Sequence, residues 1–157
     1  MANALVRQAT IDDVPALADL RRELTLEDLP AGEPRPDFEA AFRDVVGDGL
    51  RDGSWVVWVA ESEGQIVAHA FVAIVEKVPR PIEASRQIGY LTSVYTRPAH
   101  RGEGVGATLL AATTEWARHH GIELLIVWPS ERSISLYDRH GFAALDEPLV
   151  WINPDVE

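Results

Sequence analysis

GYLTSVYTRPAHRGEGVGATLL, residues 89–110, is the stretch that decides the fold. A β-rich run breaks at Pro98, three closely spaced glycines follow (Gly102, Gly104, Gly106), and an amphipathic helical pattern opens at once. The first N–H groups of a helix have no intrahelical acceptor and sit at the positive end of its dipole. They are a ready place for an anion, and phosphate is the usual one. Glycine suits such a loop because a Cβ would hold the backbone away from the ligand. Arg101 adds a guanidinium to the same spot. A tight strand-to-helix turn is the plainer reading of the glycines alone, but the strand before, the helix after and the arginine together read as a pyrophosphate cradle. It is not a Walker loop, since no Gly-Lys-Ser/Thr follows. It is a poor Rossmann match, because it lies mid-chain after a meander instead of opening a βαβ series.

Outward from this loop the chain alternates readable elements. Residues 5–9 predict a short strand. A helix follows, capped by Asp12 or Asp13, with Pro15 in its first turn and Val14, Leu17, Leu20 and Leu24 on one face. LPAGEPRP (29–36) is a breaker-rich loop. Residues 37–50 repeat a helical pattern through Phe38, Ala41, Phe42 and Val45, which ends near Gly47 or Gly49. Two strands, 55–60 and 66–75, flank a hairpin turn at Gly64, and 87–96 predicts a third. The helix after the glycines sets Val105, Leu109, Ala112 and Trp116 on one face and stops at Gly121. Residues 122–128 read as a fully buried strand, Ser130 caps a helix that ends at Arg139 to Gly141, and 148–153 (PLVWIN) read as a last strand. The order predicts an α/β (α+β type) fold: a mixed, mostly antiparallel central sheet flanked by helices, with one parallel strand–phosphate loop–helix–strand crossover.

Composition narrows the function. At 157 residues the chain is expected to form one domain, residues 1–157, with a core that needs no disulfide. It has no cysteine, which removes thiolate nucleophiles and Cys-type zinc sites, and no metal centre is expected. The N-terminus lacks the charged start and apolar run of a signal peptide, and no apolar stretch approaches the ~20 residues of a membrane span. A cytoplasmic protein without a membrane partner is the expectation. Net charge is −11, and between Glu23 and Glu63 eleven acids stand against Arg35, Arg43 and Arg51. That field argues against a nucleic-acid partner. It either draws cationic small molecules or simply keeps the protein soluble.

A second motif is SLYDRHGF, residues 135–142, on a short helix just after the 122–128 strand. Tyr137 is thereby placed to project toward the mouth of the glycine-loop unit. A phenol there can give its proton to a departing thiolate of comparable pKa, or the ring can simply pack in the core.

RGEGVG and SLYDRHGF, at this spacing, resemble the GCN5-related N-acetyltransferase (GNAT) family, and the likeness extends over essentially the whole chain. The resemblance implies an acetyl-CoA co-substrate. It assigns backbone contacts to the pantetheine and acetyl groups at Val94, Tyr95 and Thr96. It assigns phosphate contacts to Arg101, Gly102, Glu103, Gly104, Val105, Gly106 and Ala107, mainly through N–H groups. It makes Tyr137 the general acid. It also implies that the strand holding Val94 splays from the strand holding Val127, and that dimers are common, with the C-terminal strand around Trp151 a candidate contributor.

The departures are as informative. Many relatives carry an acidic pair where this chain has Thr92 and Ser93, and an asparagine where it has Ser130. The general base is therefore open among Glu27, Asp28, Glu83 and His69, although a histidine alternating with Ala68 and Ala70 on a strand is more often structural than a base. Glu27 and Asp28, beside the breaker-rich loop, and Trp128, at the end of the 122–128 strand, are candidates for the acceptor pocket. The expected activity is transfer of acetyl to a primary amine of a small molecule or peptide by direct attack. The alternatives are a non-catalytic acyl-CoA-binding or sensing domain on the same scaffold, and a nucleotide-binding or structural module.

Overall fold

The computed structural model describes residues 3–82, 87–146 and 148–156. Its elements run β1 (Leu5–Gln8), α1 (Val14–Asp28), α2 (Phe38–Asp52), β2 (Trp55–Ser62), β3 (Gln65–Val75), β4 (Ile88–Thr96), α3 (Val105–His119), β5 (Leu125–Ile126) and α4 (Ile134–Asp138). The strands form one sheet in the order β1-β2-β3-β4-β5. Every pairing is antiparallel except β4 with β5, which is parallel across the glycine loop and α3. This is the mixed sheet with one crossover that the sequence predicts.

Local chemistry explains the framework. Glu63 and Gly64 both take positive φ, 52° and 76°, so β2 and β3 meet in a two-residue turn of the mirror-image kind whose twist matches the strands. At the start of α1 the Asp13 carboxylate accepts the Thr10 N–H at 2.7 Å and both Arg7 terminal nitrogens at 2.7 and 2.9 Å. Arg7 also holds Glu61 of β2, so one guanidinium ties the helix start to two strands.

Helices cover both faces of the sheet. Val14, Leu17 and Leu20 of α1 and Val46 of α2 pack on Val57, Val59, Phe71 and Tyr95. On the other face Val105 and Leu109 of α3 meet Ala60 and Ala68, and Leu110 meets Ala70, Val72 and Leu91. The alanines of β2 and β3 bring the helix close to the sheet, and Thr113, fully buried, is satisfied by its Oγ1 donating to the Leu109 carbonyl at 2.8 Å. The buried face of α3 is centred on Leu109, Leu110, Thr113 and Ala117, so Ala112 and Trp116 lie at its margin.

Three expectations are corrected. α2 does not stop at Gly47 or Gly49 but runs to Asp52 and ends at Gly53, φ 79°. Gly49 is inside the helix because Trp55 lies against it: a Cβ there would overlap the Trp55 ring at Cδ1. Residues 122–128 hold only a two-residue ladder, with Leu125 half-buried and Ile126 37% exposed, because β5 lies at the sheet's edge. The 148–153 segment forms no strand, and Trp151 is 80% exposed. Strand propensity acts through packing on a neighbouring strand, and no ladder forms along this segment. No helix among the described residues is long and apolar enough to cross a membrane.

Candidate active site

The parallel pairing of β4 and β5 is confined to Gly89 with Leu125 and Tyr90 with Ile126. Beyond it β4 continues to Thr96 while β5 has ended, and the strands part. A cavity of about 430 Å³ opens in the gap, lined by residues 90–96 of β4, by Val127 and Trp128, by Tyr137 and Leu136 of α4, and by Arg21, Leu24 and Asp28 of α1. The splay expected between the strands of Val94 and Val127 is therefore present. Tyr90 and Trp128 meet edge to face at 5.4 Å where the gap begins.

β4 is bulged at the same place. His69 faces Tyr95 and Phe71 faces Thr92, which leaves Ser93 and Val94 opposite the single Ala70. Ser93 takes φ 50°, in the left-handed region that a non-glycine residue rarely occupies. A bulge of this kind takes residues out of the ladder and re-aims them, here along the wall of the cavity.

The glycine loop closes one end of the cavity. Gly104, φ 81°, is the N-cap of α3, and the first intrahelical bond is from the Thr108 N–H to the Gly104 carbonyl at 3.0 Å. The N–H groups of Val105, Gly106 and Ala107 precede it, and no side chain caps them. A Cβ at Gly106 would meet nothing closer than Leu136 Cδ2 at 3.5 Å, an ordinary contact. The protein's own packing thus makes no demand for glycine there, and the open space fits a phosphate lying on the backbone. Gly102 and Glu103 are exposed, while the Val105 side chain is buried beneath the loop. These residues fit the pyrophosphate of a coenzyme.

Arg101 is fixed on three sides. Its Nε donates to the Thr96 carbonyl at 2.9 Å, its terminal nitrogen binds Glu27 at 2.8 Å, and its guanidinium lies 5.5 Å over the Tyr95 ring. Arg132 reaches the other Glu27 oxygen at 3.3 Å. Arg101 first and Arg132 second hold the Glu27 carboxyl below the usual carboxylate range. Burial, helped by Glu27 and Glu23, pushes the Tyr95 phenol up.

Tyr137 is 5% exposed, with its ring against Phe142 at 5.3 Å and in the cluster with Leu110. Among the described residues its hydroxyl has no hydrogen-bond partner, yet it is not sealed from solvent, so it opens on the cavity. Burial raises its pKa, and the phenol keeps its proton at neutral pH.

The base candidates separate. Glu27 is committed to two arginines. His69 is fully buried, does not line the cavity, and burial lowers its pKa to about 4. Asp28 is exposed and lines the cavity. Glu83 lies outside the described residues. Sequence reading passed over Arg21 and Arg132, both in the cavity wall. Arg21 had a signal: it stands four residues after Leu17 and three before Leu24, a cation inside the apolar stripe of α1.

A strand-splayed cleft, a helix N-terminus for a pyrophosphate and a tyrosine on the wall define an acyl-coenzyme A-dependent transferase. A sequence profile described as the Acetyltransferase (GNAT) family matches residues 17–142, and the chain belongs to that family. Over 143 residues it is 28% identical to an aminoglycoside N(6')-acetyltransferase type 1 of Stenotrophomonas maltophilia, covering 90% of this chain and 86% of that one. Over 93 residues it is 32% identical to a glucosamine 6-phosphate N-acetyltransferase of Trypanosoma brucei brucei, covering 59% of this chain and 61% of that relative's length. A predicted acetyltransferase of Clostridium acetobutylicum, crystallised with acetyl-CoA, superposes with a TM-score of 0.79 at 26% identity, covering 95% of this chain and 96% of that one.

Proposed function

We propose that this protein transfers acetyl from acetyl-CoA to a primary amine of a small molecule or peptide by direct attack, with Tyr137 as general acid. The observation that carries this reading is the parting of β4 from β5 beyond Tyr90 and Ile126, which opens one cavity between the α3 N-terminus and the Tyr137 hydroxyl. Acetyl-CoA supplies the acetyl group as a thioester. The N–H groups at residues 105–107 and the Arg101 charge hold the pyrophosphate, and Val94, Tyr95 and Thr96 hold the arm that leads from it. An N–H of the bulged strand, at Val94 or Tyr95, donates to the acyl oxygen and favours charge developing there. The amine nitrogen bonds to the acyl carbon as the carbon–sulfur bond breaks, and Tyr137 gives its proton to the leaving sulfur. The amine's proton passes to water in the cavity, with Asp28 the carboxylate placed to receive it, and Tyr137 recovers a proton from the same water.

The experiment is release of free coenzyme A thiol from acetyl-CoA over an amine panel, for the wild type and Tyr137→Phe. Amine-dependent thiol release that the variant loses supports the mechanism. Release by both proteins at equal rates removes Tyr137 from it. A non-catalytic coenzyme-binding module is the second reading, favoured by Thr92 and Ser93 in place of strand acids and by the engagement of Glu27 with two arginines. It expects acetyl-CoA binding with no thiol release on any amine.

A further inference from the structure

The cavity wall carries three arginines, and they are not alike. Arg101 and Arg132 share Glu27. Arg21, half-buried on α1, has no hydrogen-bond or ion-pair partner for its guanidinium among the described residues, though it lines the same cavity. An unpaired guanidinium on the wall of a ligand cavity is free to bind an anion there. Its planar fork is matched by a carboxylate or a phosphate.

We infer that the acceptor amine carries an anionic group, a carboxylate or a phosphate, and that Arg21 binds it. The inference rests on the acetyltransferase reading and names the acceptor class for that site. Arg21 lies on α1, which packs on one face of the sheet, while the N–H groups of the phosphate loop open α3 on the other; the loop already carries its own cation in Arg101, and Arg21 is therefore assigned to the acceptor. Burial first, and the Arg21 charge to a lesser degree, disfavour protonation of the His69 ring, which is bonded to the Ser93 carbonyl at the bulge.

Asp28 stands seven residues further along α1, about 10 Å at 1.5 Å per residue, and is exposed at the mouth. It opposes a second anionic group there. The excess of acids between Glu23 and Glu63 does not reverse this, because much of it is answered locally. Beyond the acids matched by Arg35, Arg43 and Arg51, Glu39 pairs with Arg22, Glu61 with Arg7, Glu23 with Arg97, and Glu27 with Arg101 and Arg132.

The test uses matched pairs: an α-amino acid with its carboxamide, and a hexosamine phosphate with the free hexosamine. Each is assayed for acetyl-CoA turnover and titrated calorimetrically onto protein saturated with coenzyme A, for the wild type, Arg21→Gln and Arg21→Lys. The expected result is a preference of roughly tenfold or more for the anionic member of one pair. Arg21→Gln abolishes that preference and Arg21→Lys retains part of it, with thermal melts showing both variants folded. The responding pair identifies carboxylate or phosphate. Equal binding of both members by the wild type, or a preference that survives Arg21→Gln, overturns the inference. Arg21-dependent binding without turnover supports it while defeating the transferase reading, so the two failures are distinct.

Discussion

His69 Nδ1 lies 2.6 Å from the carbonyl oxygen of Ser93, the residue whose positive φ makes the bulge in β4. Because a carbonyl only accepts, Nδ1 carries the proton and Nε2 is left with a lone pair. That Nε2 is buried and has no hydrogen-bond partner among the described residues. One neutral imidazole thus supports the strand at the point where the cavity wall turns, and protonating it would bury an unpaired charge.

This tautomer sets a pH dependence. His69 titrates near 4 in the folded protein and near 6.5 when free, so below pH 6.5 the unfolded chain binds a proton that the folded one refuses. Its contribution is intact above pH 6.5 and is lost as pH falls from 6.5 toward 4, a total of roughly 3 kcal/mol. His69→Asn keeps an N–H near Nδ1 but does not titrate. Denaturant unfolding from pH 7 to pH 4 is expected to show a steeper loss for the wild type than for the variant, and parallel curves would count against the neutral tautomer.

Tyr137→Phe removes only the hydroxyl and leaves the ring against Phe142. Turnover is expected to fall by ~10²-fold or more, with acetyl-CoA affinity nearly unchanged. A loss of affinity equal to the loss of turnover would assign Tyr137 to binding instead.

Glu27 is held by Arg101 and Arg132 and is therefore a weak base. Glu27→Gln is expected to lower kcat by less than roughly fivefold and to leave the acidic limb of the pH–rate profile in place, where loss of a general base costs 10²-fold or more. Disappearance of that limb in the variant would restore Glu27 to proton transfer.

Gly89 pairs with Leu125 in the short ladder that joins β4 to β5. A Cβ on it would lie 2.6 Å from Leu125 Cδ2 and 2.8 Å from Val72 Cγ1. Gly89→Ala is expected to lose about 1–3 kcal/mol of stability and to weaken acetyl-CoA binding through the misplaced strand. A melt and a coenzyme titration like those of the wild type would show the strands free to spread.

Much of the architecture was legible in the sequence, for a physical reason. The hairpin at Gly64, the apolar stripe of α1 and the glycines before α3 are local signals, each written within a few residues of the structure that it dictates. The end of α2 was misread because Gly49 answers Trp55 across a turn, a contact that no periodicity records. The apolar run at 122–128 suggested burial, yet β5 is an edge with Ile126 exposed, since apolar content does not say how many neighbours a strand has. At the site, Tyr137 and the cradle carried motif signals. Arg21 showed only as a cation within the apolar stripe of α1; its place on the cavity wall and the His69–Ser93 bond depend on elements far apart in sequence that only the folded chain brings together.

The central claim is that the loop from Arg101 to Ala107 seats the pyrophosphate of acetyl-CoA. Calorimetric titration of acetyl-CoA onto the wild type, Gly104→Ala and Gly104→Glu tests it most directly. Both substitutions strain the positive φ of Gly104 alike, and nothing lies within 4 Å of a Cβ there, so the glutamate differs mainly by placing a carboxylate where the pyrophosphate sits. The expected result is micromolar binding by the wild type, measurable binding by Gly104→Ala and none by Gly104→Glu. Absence of binding by folded wild-type protein, or equal binding by Gly104→Glu, would contradict the claim.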